Sequence, residues 1–457
     1  MRPAIDPDLW WHLRTGQLTL QNHAVFRVDP FSFTRAGQSW INHEWLSDVL
    51  MFGLYRFSGL GGLVVAFAFL IAAAYLLTFR RCAGQRYVAS IATIWAAIAS
   101  RPVWGVRPQV LSLFLASLLL VLYDASLSRS RRLWWAVPLM LLWVNLHAGY
   151  ALGIALLVLF VLGDVAEVVT GSESWTRAAP RLRIMASVIA ACIAVVPLNP
   201  YGTKLYWYPV ATLRSVSMQS KITEWFSPNF HDPQYLPLAL LMLASIVALA
   251  VSPRLLRPGE LLLLLVVSFL TLLSVRHVGV YALIAAPILS KLLDDVVSGG
   301  RRRQSLSPKL AAFINVAVLA LFGTFVALHI RTVVEHQPQA EAGAFPIRAV
   351  GFLTEQRPPG PILNDYDWGG YLIWRLYPEY RVFIDGRADV YGDSLMKDFG
   401  DANSLTGDWR SVLDRWKIRT VILRTDSPLV TALRTSRDWK QLYSDSQATV
   451  VARVDAR

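Results

Sequence analysis

Residues 61–81 read GGLVVAFAFLIAAAYLLTFRR, an apolar run that two arginines end. A helix needs about 20 apolar residues to cross a bilayer, so this run predicts a membrane span. The whole chain has the same character, with 457 residues, 54% of them hydrophobic, and a mean hydropathy of +0.42. These values are typical of a polytopic membrane protein rather than of a soluble domain.

Nine further apolar runs bring the number of predicted spans to ten. The ten spans lie near residues 60–79, 87–100, 110–124, 133–146, 149–169, 182–198, 235–251, 258–275, 277–297 and 309–330. If the first span crosses from the outer to the cytoplasmic side, the loops on the cytoplasmic side carry 15 lysines and arginines, and the loops on the outer side carry 6. This bias predicts that the N-terminal segment and everything after residue 331 lie outside the cell, in a plasma or bacterial inner membrane.

The net charge of +13 would suggest nucleic acid as a partner in a soluble protein. Here the same positive charge belongs to the cytoplasmic links, and we expect no nucleic acid partner. Because an outer N-terminus needs a helix to carry it across the membrane, we also expect a further spanning helix upstream of Met1.

Three parts follow from this organisation. Residues 1–58 form an outer acidic and aromatic segment, residues 59–330 a transmembrane helical domain, and residues 331–457 an extracytoplasmic domain. The last part alternates the apolar runs GPILNDY, YRVFIDGR, RTVILRT and ATVVARV with the helix-like stretch SLTGDWRSVLDRWK. That alternation predicts a small α/β domain. The predicted fold class is therefore a polytopic α-helical membrane protein of about ten visible spans with a C-terminal α/β domain.

The unusual polar residues all fall on the predicted outer face. Ionisable groups at membrane depth are costly, and a functional role is the default interpretation. These polar residues come from five separate segments of the chain. They are Asp6, Asp8, His12, His43, Glu44, Arg101, Arg107, Gln109, Asn145, His147, Arg276 and His277.

This mixture of groups suits a lipid-phosphate-linked sugar. Carboxylates hold a divalent cation or act as general base toward a hydroxyl group. Arginines bind phosphate oxygens bidentately, and tryptophans at the interface stack on sugar faces. Simpler interpretations stay open for each element: DPD as a solvated turn, the tryptophans as interface anchors, His147 and His277 as helix caps, and Arg101 and Arg107 as loop charges.

Three stretches resemble the bacterial members of the GT-C glycosyltransferase superfamily, which are polytopic membrane enzymes that use polyprenyl-phosphate sugars. The stretches are DPDLWWHLRTG with NHEWL, the turn NLHAGY, and NDYDWGGYLIW followed by YRVFIDGRADVYG. The superfamily includes protein O-mannosyltransferases, aminoarabinose transferases and the catalytic subunit of oligosaccharyltransferase. The second outer loop, RPVWGVRPQ, lacks the acidic residues of the oligosaccharyltransferase pattern, so that metal site is not carried over whole.

The resemblance implies a role for each candidate residue. Asp6, Asp8 and Glu44 match the acidic motif of the first outer loop, which activates the acceptor or holds metal. Arg101, Arg107 and Arg276 would bind the donor phosphate, and the substrates would be positioned by His12, His43, Gln109, Asn145, His147 and His277. A divalent cation, Mg or Mn, would sit on Asp6 and Asp8, and a metal-independent reaction stays open.

In the C-terminal domain, Trp368, Asp385 and Arg387 are expected to face the acceptor. An internal Asp385–Arg387 pair that only holds a turn is the alternative. The partners implied are a polyprenyl-phosphate sugar, membrane lipid and a hydroxyl acceptor.

The expected function is transfer of a sugar from a polyprenyl-phosphate-linked donor to a hydroxyl acceptor on the outer face. Two rivals stay open: a transporter or flippase for a lipid-linked or anionic substrate, and a non-catalytic membrane scaffold whose outer domain binds a partner. Against the transporter, the polar residues cluster at one face instead of the bilayer midplane, and the chain shows no inverted repeat.

Overall fold

The structure is a computed structural model, and it describes residues 2–298 and 308–454. Most of the predicted cytoplasmic link SGGRRRQSLSPK lies outside the described residues. The chain divides into two compact units. The first unit comprises residues 1–2, 64–203 and 223–335, and the second comprises residues 3–63, 204–222 and 336–457.

The first unit is helical. Its helices are Arg86–Ala99, Pro108–Ser128, Ala136–Leu146, Tyr150–Val169, Trp175–Ala194, Leu236–Val251, Pro258–Leu273, Val278–Ser298 and Pro308–Glu335, together with the second half of Trp45–Arg81. Each of the ten predicted apolar runs therefore coincides with a helix.

Within the described residues, six helical segments are long and apolar enough to cross a membrane. They are Trp45–Arg81, Pro108–Ser128, Tyr150–Val169, Trp175–Leu198, Pro233–Val251 and Val275–Asp294. The apolar helices Arg86–Ala99 and Pro258–Leu273 are shorter, and Ala136–Leu146 has 11 residues, which at about 1.5 Å per residue reaches about half of the hydrocarbon core. The chain thus has the helices of a multi-pass membrane protein, while the count of ten spans and their sidedness stay predictions.

The long helix Trp45–Arg81 is interrupted at Gly59. This residue has φ 63° and ψ −163°, a backbone conformation that is strained for residues with a Cβ atom. The apolar run predicted at 60–79 is the part that follows the interruption. The part that precedes it belongs to the second unit, since the division falls between residues 63 and 64.

The second unit combines helices with a small sheet. The helices are Leu9–Asn22, the first half of Trp45–Arg81, Lys204–Arg214, Val216–Lys221, Gln337–Ala344, Ile347–Gln356, Gly369–Leu376, Ala388–Ser404, Trp409–Arg415 and Pro428–Thr435. The strands are β1 (Ile362–Asn364), β2 (Thr420–Arg424), β3 (Trp439–Ser444) and β4 (Ala448–Arg453).

The strand order in the sheet is β1-β2-β4-β3. β1 and β2 pair in parallel, and β4 pairs antiparallel with both β2 and β3. The predictions for GPILNDY, RTVILRT and ATVVARV are confirmed as β1, β2 and β4, and the helix-like stretch contains Trp409–Arg415. The C-terminal part therefore has the predicted α/β character.

The prediction that YRVFIDGR forms a strand is wrong. Its apolar residues are buried, but their backbone groups pair with the N-terminal segment instead of the sheet. The Val382 amide donates to the Phe31 carbonyl at 3.1 Å, and the Phe33 amide donates to the Val382 carbonyl at 3.2 Å. The N-terminal segment and the C-terminal part, predicted as separate domains, therefore pack together in one unit.

Candidate functional site

Asp6 and Asp8 form a turn that leads into the helix Leu9–Asn22. The Asp8 amide donates a hydrogen bond to Asp6 Oδ1 at 3.0 Å, as expected for an Asp-Pro turn. The indole Nε1 of Trp11, one turn into the helix, donates to Asp8 Oδ1 at 3.0 Å. The Asp8 carboxylate is therefore held in place by a side chain of its own stretch.

Gly386 lies directly under the Asp8 carboxylate. A Cβ atom at Gly386 would stand 1.7 Å from Asp8 Oδ1, so any larger residue there would push the Asp8 carboxylate out of its present position. The same close packing occurs at two more glycines. A Cβ atom at Gly370 would stand 2.3 Å from the Pro7 carbonyl oxygen, and one at Gly369 would stand 2.5 Å from the Asp385 Cα atom.

These contacts join three of the stretches on which the family resemblance depends. The stretches are DPDLWWH, DYDWGGY and IDGRADVYG, and the first ends more than 350 residues before the second begins. The second unit brings all three together at the glycines. Each stretch stands out in the sequence by itself, but nothing in the sequence predicts that the three contact one another.

Beside Asp8 lies a group that we call the carboxylate–histidine cluster, made of His12, His43, Glu44 and Asp48. His12 Nδ1 is 2.6 Å from Asp48 Oδ1, and His12 Nε2 is 3.5 Å from Glu44 Oε2. His43 Nε2 is 3.2 Å from Glu44 Oε1. Asn42 donates from Nδ2 to Asp48 Oδ2 at 2.8 Å and completes the cluster.

Two opposing effects set the charge of the imidazoles. Burial alone would lower the pKa of His12, but the charge and hydrogen bond of Asp48 and the charges of Glu44 and Asp8 outweigh it, so the pKa of His12 lies above its usual value. For His43, burial is likewise outweighed by Glu44, and its pKa is also raised. The cluster therefore favours imidazolium ions, and one of them attracts Asp8.

Aromatic hydroxyl groups border the cluster. The His43 ring packs against Tyr208 with ring centroids 4.3 Å apart, and the Tyr208 hydroxyl donates to Asp389 Oδ2 at 3.4 Å. Tyr366 donates to the Gly386 carbonyl at 3.3 Å. Burial, followed by the charges of Asp8 and Asp385, raises the pKa of Tyr366 well above its usual value, which keeps this hydroxyl a hydrogen-bond donor.

Sequence reasoning missed Asp48, Tyr208 and Asp389. A signal for Asp48 was present, because residues four apart share a helix face and Asp48 follows Glu44 by four positions. No local signal marked Tyr208 or Asp389 as neighbours of His43.

Asp385 and Arg387 belong to a closed network under the turn. Arg387 donates from Nε and Nη2 to Asp385 at 2.8 and 2.7 Å and from Nη1 to Asp29 at 2.8 Å. Its guanidinium carbon also lies 4.6 Å from the Trp40 ring centroid. The Tyr391 hydroxyl donates to Asp385 as well. Such a network holds the IDGR turn, and Gly386 with it, in one conformation.

Asp385 is 0% exposed, Arg387 is 2% exposed and Trp368 is 0% exposed. Burial to this degree favours the alternative left open by the sequence, an internal pair that holds the turn. The direct contact of these residues with an acceptor stays a prediction.

The first unit contains a second charged group, which we call the arginine cluster: Arg107, Arg276, Glu224 and Trp225. Glu224 bridges the two arginines, pairing with Arg107 Nη1 and lying 3.3 Å from Arg276 Nη2. Arg276 also stacks on Trp225, with 4.2 Å between the guanidinium carbon and the ring centroid. Arg101 begins the short 3₁₀ helix Arg101–Val103 and is exposed.

Glu224, in the stretch KITEWFSPNFHDP, was not singled out from the sequence. Burial would raise the pKa of Glu224, but the charges of Arg107 and Arg276 exceed that effect, so the pKa of Glu224 lies below its usual value. An ionised Glu224 cancels one of the two arginine charges and orients both guanidinium groups.

The remaining predicted residues also lie in the first unit. His147 Nδ1 accepts from the Gly149 amide at 2.9 Å and lies 2.7 Å from Ser112 Oγ, which in turn accepts from the Trp143 indole at 2.7 Å. The Asn145 side chain donates from Nδ2 to the Leu141 carbonyl of its own helix. Gln109 Oε1 and His277 Nδ1 are among the ten buried side-chain atoms of the described residues that have no hydrogen-bond partner.

Metal binding has weaker support. Among the residues that the structure describes, no group of three or more histidine, cysteine, aspartate or glutamate side chains could hold a metal ion. Asp6 and Asp8 each already accept a hydrogen bond within the turn. A cation on these two residues stays a prediction.

No family model matches the chain, and no curated protein matches it in sequence. Solved structures do match. The apo oligosaccharyltransferase of Archaeoglobus fulgidus superposes with a TM-score of 0.54 and 14% identity over 92% of this chain and 66% of that one. The oligosaccharyltransferase AglB from the same organism was solved in complex with an inhibitory peptide and a dolichol-phosphate. It superposes with a TM-score of 0.53 and 13% identity over 93% of this chain and 66% of that one.

ArnT from Cupriavidus metallidurans, bound to undecaprenyl phosphate, gives a TM-score of 0.51 and 15% identity over 99% of this chain and 94% of that one. The chain thus spans about two thirds of the length of the oligosaccharyltransferase and nearly the length of ArnT. Both neighbours are members of the GT-C superfamily. At these identities the likeness establishes the fold alone, and this chain has the fold that ArnT and the archaeal oligosaccharyltransferase share.

Proposed function

We propose that this protein is a membrane glycosyltransferase that moves a sugar from a polyprenyl-phosphate-linked donor to a hydroxyl acceptor on the outer face of the membrane. The observation that carries the proposal is the Asp8 carboxylate, held over Gly386 by Trp11 and placed beside His12. The fold likeness supports it, since ArnT was solved with undecaprenyl phosphate and AglB with a dolichol-phosphate and a peptide.

Asp8 would serve as the general base. It accepts the proton of the acceptor hydroxyl while the hydroxyl oxygen attacks the anomeric carbon of the sugar. The bond from that carbon to the phosphate oxygen breaks, and polyprenyl phosphate leaves with the bonding electron pair. A single displacement of this kind inverts the configuration at the anomeric carbon.

The contacts of the other acids favour Asp8 over them. Glu44 is buried, and its two oxygens face His12 and His43. Asp6 accepts the amide of Asp8 and so shapes the turn. We therefore assign Glu44 to orienting the two histidines and Asp6 to placing Asp8, while His12 and His43 tune the charge around the base and position substrate.

The arginine cluster of the first unit supplies the phosphate chemistry. Arg107 and Arg276 are oriented by Glu224, so their guanidinium groups lose little freedom when they bind phosphate oxygens. Arg101 adds an exposed positive charge. The buried Gln109 Oε1 would accept a hydrogen bond from the sugar donor, and the ring of His147 would accept or donate one. Asn145 and His277 would position the segments that carry these two groups.

A divalent cation on Asp6 and Asp8 would add positive charge beside the carboxylates. The two carboxylates fit only part of such a site, because Mg²⁺ takes six oxygen ligands and the described residues offer no third acid there. No step of the proposed reaction depends on the cation.

The test is the variant Asp8→Asn in the purified chain reconstituted into liposomes. The amide keeps an oxygen that can accept the Trp11 hydrogen bond but cannot take a proton, so we expect transfer to fall by about 10²–10⁴-fold, the usual contribution of a general base. The melting temperature should stay close to that of the unchanged protein. Asp438→Asn, at an exposed carboxylate of the same unit, should retain full activity. Full transfer by Asp8→Asn would remove Asp8 from the mechanism.

A further inference from the structure

A cavity of about 380 Å³ lies inside the first unit, among the ends of five helices. Its charged lining is balanced, with three cations and three carboxylates: Arg81, Arg257, Lys291, Asp124, Glu167 and Glu260. None of these residues takes part in the proposed transfer reaction.

The charged lining residues lie toward one end of the helix bundle. Arg81 is the last residue of its helix, Glu167 lies in the last turn of Tyr150–Val169, and Glu260 lies in the first turn of Pro258–Leu273. The rest of the lining includes Leu159, Leu263 and Ile288, which are apolar and lie further along the helices. The cavity is therefore charged at one end and apolar further in, along the direction of the predicted membrane normal.

Two glycines bring the cavity walls together. A Cβ atom at Gly163 would stand 2.9 Å from the Gly259 Cα atom, and one at Gly259 would stand 3.1 Å from the Gly163 Cα atom. Close approach of this kind between small residues is a common way for membrane helices to pack. It fixes the separation of Tyr150–Val169 and Pro258–Leu273, so the cavity is part of a rigid helix contact.

The cations differ in how tightly they are held. Lys291 Nζ lies 2.7 Å from Glu260 Oε2, and Arg81 Nε lies 2.7 Å from Asp124 Oδ2. Arg257 is held more loosely, 3.9 Å from Glu167 Oε1 and 3.5 Å from Glu260 Oε1, and its side chain is 43% exposed. Arg257 and Glu167 therefore present a cation and a carboxylate side by side at a distance that leaves both able to bind a ligand.

We propose that this cavity binds a zwitterionic phospholipid whose headgroup carries a phosphate and a primary ammonium, as in phosphatidylethanolamine. The phosphate lies on Arg257 and Lys291, the ammonium lies on Glu167, and the start of an acyl chain follows the apolar wall. Basic pockets between membrane helices attract anionic headgroups. Here the charges of the lining cancel, so a headgroup with both signs matches the cavity better than an anionic one.

The test is native mass spectrometry of the delipidated full chain titrated with dioleoyl phosphatidylethanolamine, phosphatidylcholine or phosphatidylglycerol. The trimethylammonium group of choline has no N–H and cannot donate hydrogen bonds to a carboxylate, so the ethanolamine lipid should bind about tenfold more tightly than the choline lipid. The anionic lipid should also bind more weakly.

Three variants define the site. Arg257→Gln and Glu167→Gln should each lower ethanolamine-lipid binding by about tenfold, because each removes one charge-assisted partner. Leu263→Trp should fill the cavity and abolish binding while every charge stays in place. Arg254→Gln, an exposed arginine of the same link, serves as the control and should bind normally.

Equal binding of the three lipids would show a non-specific lipid shell and overturn the proposal. A preference for phosphatidylglycerol would overturn the headgroup assignment. Full displacement by soluble glycerophosphoethanolamine at the same concentration would show that the acyl chain contributes nothing, and it would overturn the lipid assignment.

Discussion

The substitution Gly386→Ala tests whether the position of the Asp8 carboxylate matters for activity. The new Cβ atom would stand 1.7 Å from Asp8 Oδ1, whereas ordinary contact begins at 3.4 Å, so the carboxylate must retreat by about 1.7 Å. It would then lose its 3.0 Å hydrogen bond from Trp11. Misplacement of a catalytic group by about 1 Å costs about 10²-fold in rate, and we expect transfer to fall at least that far.

The fold should tolerate this change. The clashing atom is the end of a flexible side chain, which can turn aside, so the free energy of unfolding should change by about 1 kcal/mol or less. Transfer is measured as release of polyprenyl phosphate from a lipid-linked sugar, and stability as the melting temperature in the same liposomes. The variant keeps every charge, which separates an effect of position from the effect of Asp8→Asn.

The matched control is Gly351→Ala. Gly351 lies in the helix Ile347–Gln356 of the same unit, and a Cβ atom there meets no atom within 4 Å. Alanine in a helix interior gains about 0.5–1 kcal/mol over glycine, so this variant should be as stable as the parent or slightly more stable, with unchanged transfer. Full activity of Gly386→Ala at an unchanged melting temperature would refute the placement of Asp8 over the turn.

Three further predictions concern the cluster, the buried network and the metal. Because the pKa of His12 is raised in the folded protein, its pairing with the carboxylates stabilises the fold fully below about pH 6.5. This contribution is lost as the pH rises through the folded-state pKa of His12. The melting temperature should therefore fall from pH 6 to pH 9, and it should fall less steeply in His12→Gln. Arg387→Met leaves two buried carboxylates without their cation and should cost about 3–5 kcal/mol, lowering the melting temperature by roughly 10 °C, whereas Arg410→Met at the surface should not. Transfer should survive dialysis against EDTA; a loss that Mn²⁺ restores would instead show that the reaction needs a divalent cation.

Much of the helical architecture could be read from the sequence, because apolar runs report helices directly. The run at 60–79 is the part of a helix that follows Gly59, and the other nine runs also coincide with helices. Three of four predicted strands are present for a similar reason, since buried β-branched runs mark them.

The errors come from long-range pairing. YRVFIDGR has the composition of a strand, but its amides and carbonyls pair with residues near Phe31, about 350 positions earlier. The strand Trp439–Ser444 was missed because three of its six residues, Lys440, Gln441 and Ser444, are polar and exposed, which is usual at the edge of a sheet.

The candidate site was predicted only in part, because the sequence shows unusual charges but not the contacts between distant stretches. His12, Glu44 and Asp8 stand out as charges beside apolar segments, and the structure brings His12 and Glu44 together within the second unit. Glu224 could not be assigned to Arg107, because the two are 117 positions apart and nothing local marks the pair. The glycine under Asp8 was equally hidden, since its importance depends on a contact between distant stretches.

The most direct test of the account is to reconstitute the purified chain with a panel of polyprenyl-phosphate sugars and a mixture of hydroxyl acceptors, and to measure release of free polyprenyl phosphate. We expect one donor to be consumed, with stoichiometric appearance of a glycosylated acceptor whose anomeric configuration is inverted. Movement of an intact lipid-linked sugar across the bilayer, with no release of polyprenyl phosphate from any donor, would contradict it and would favour a transporter.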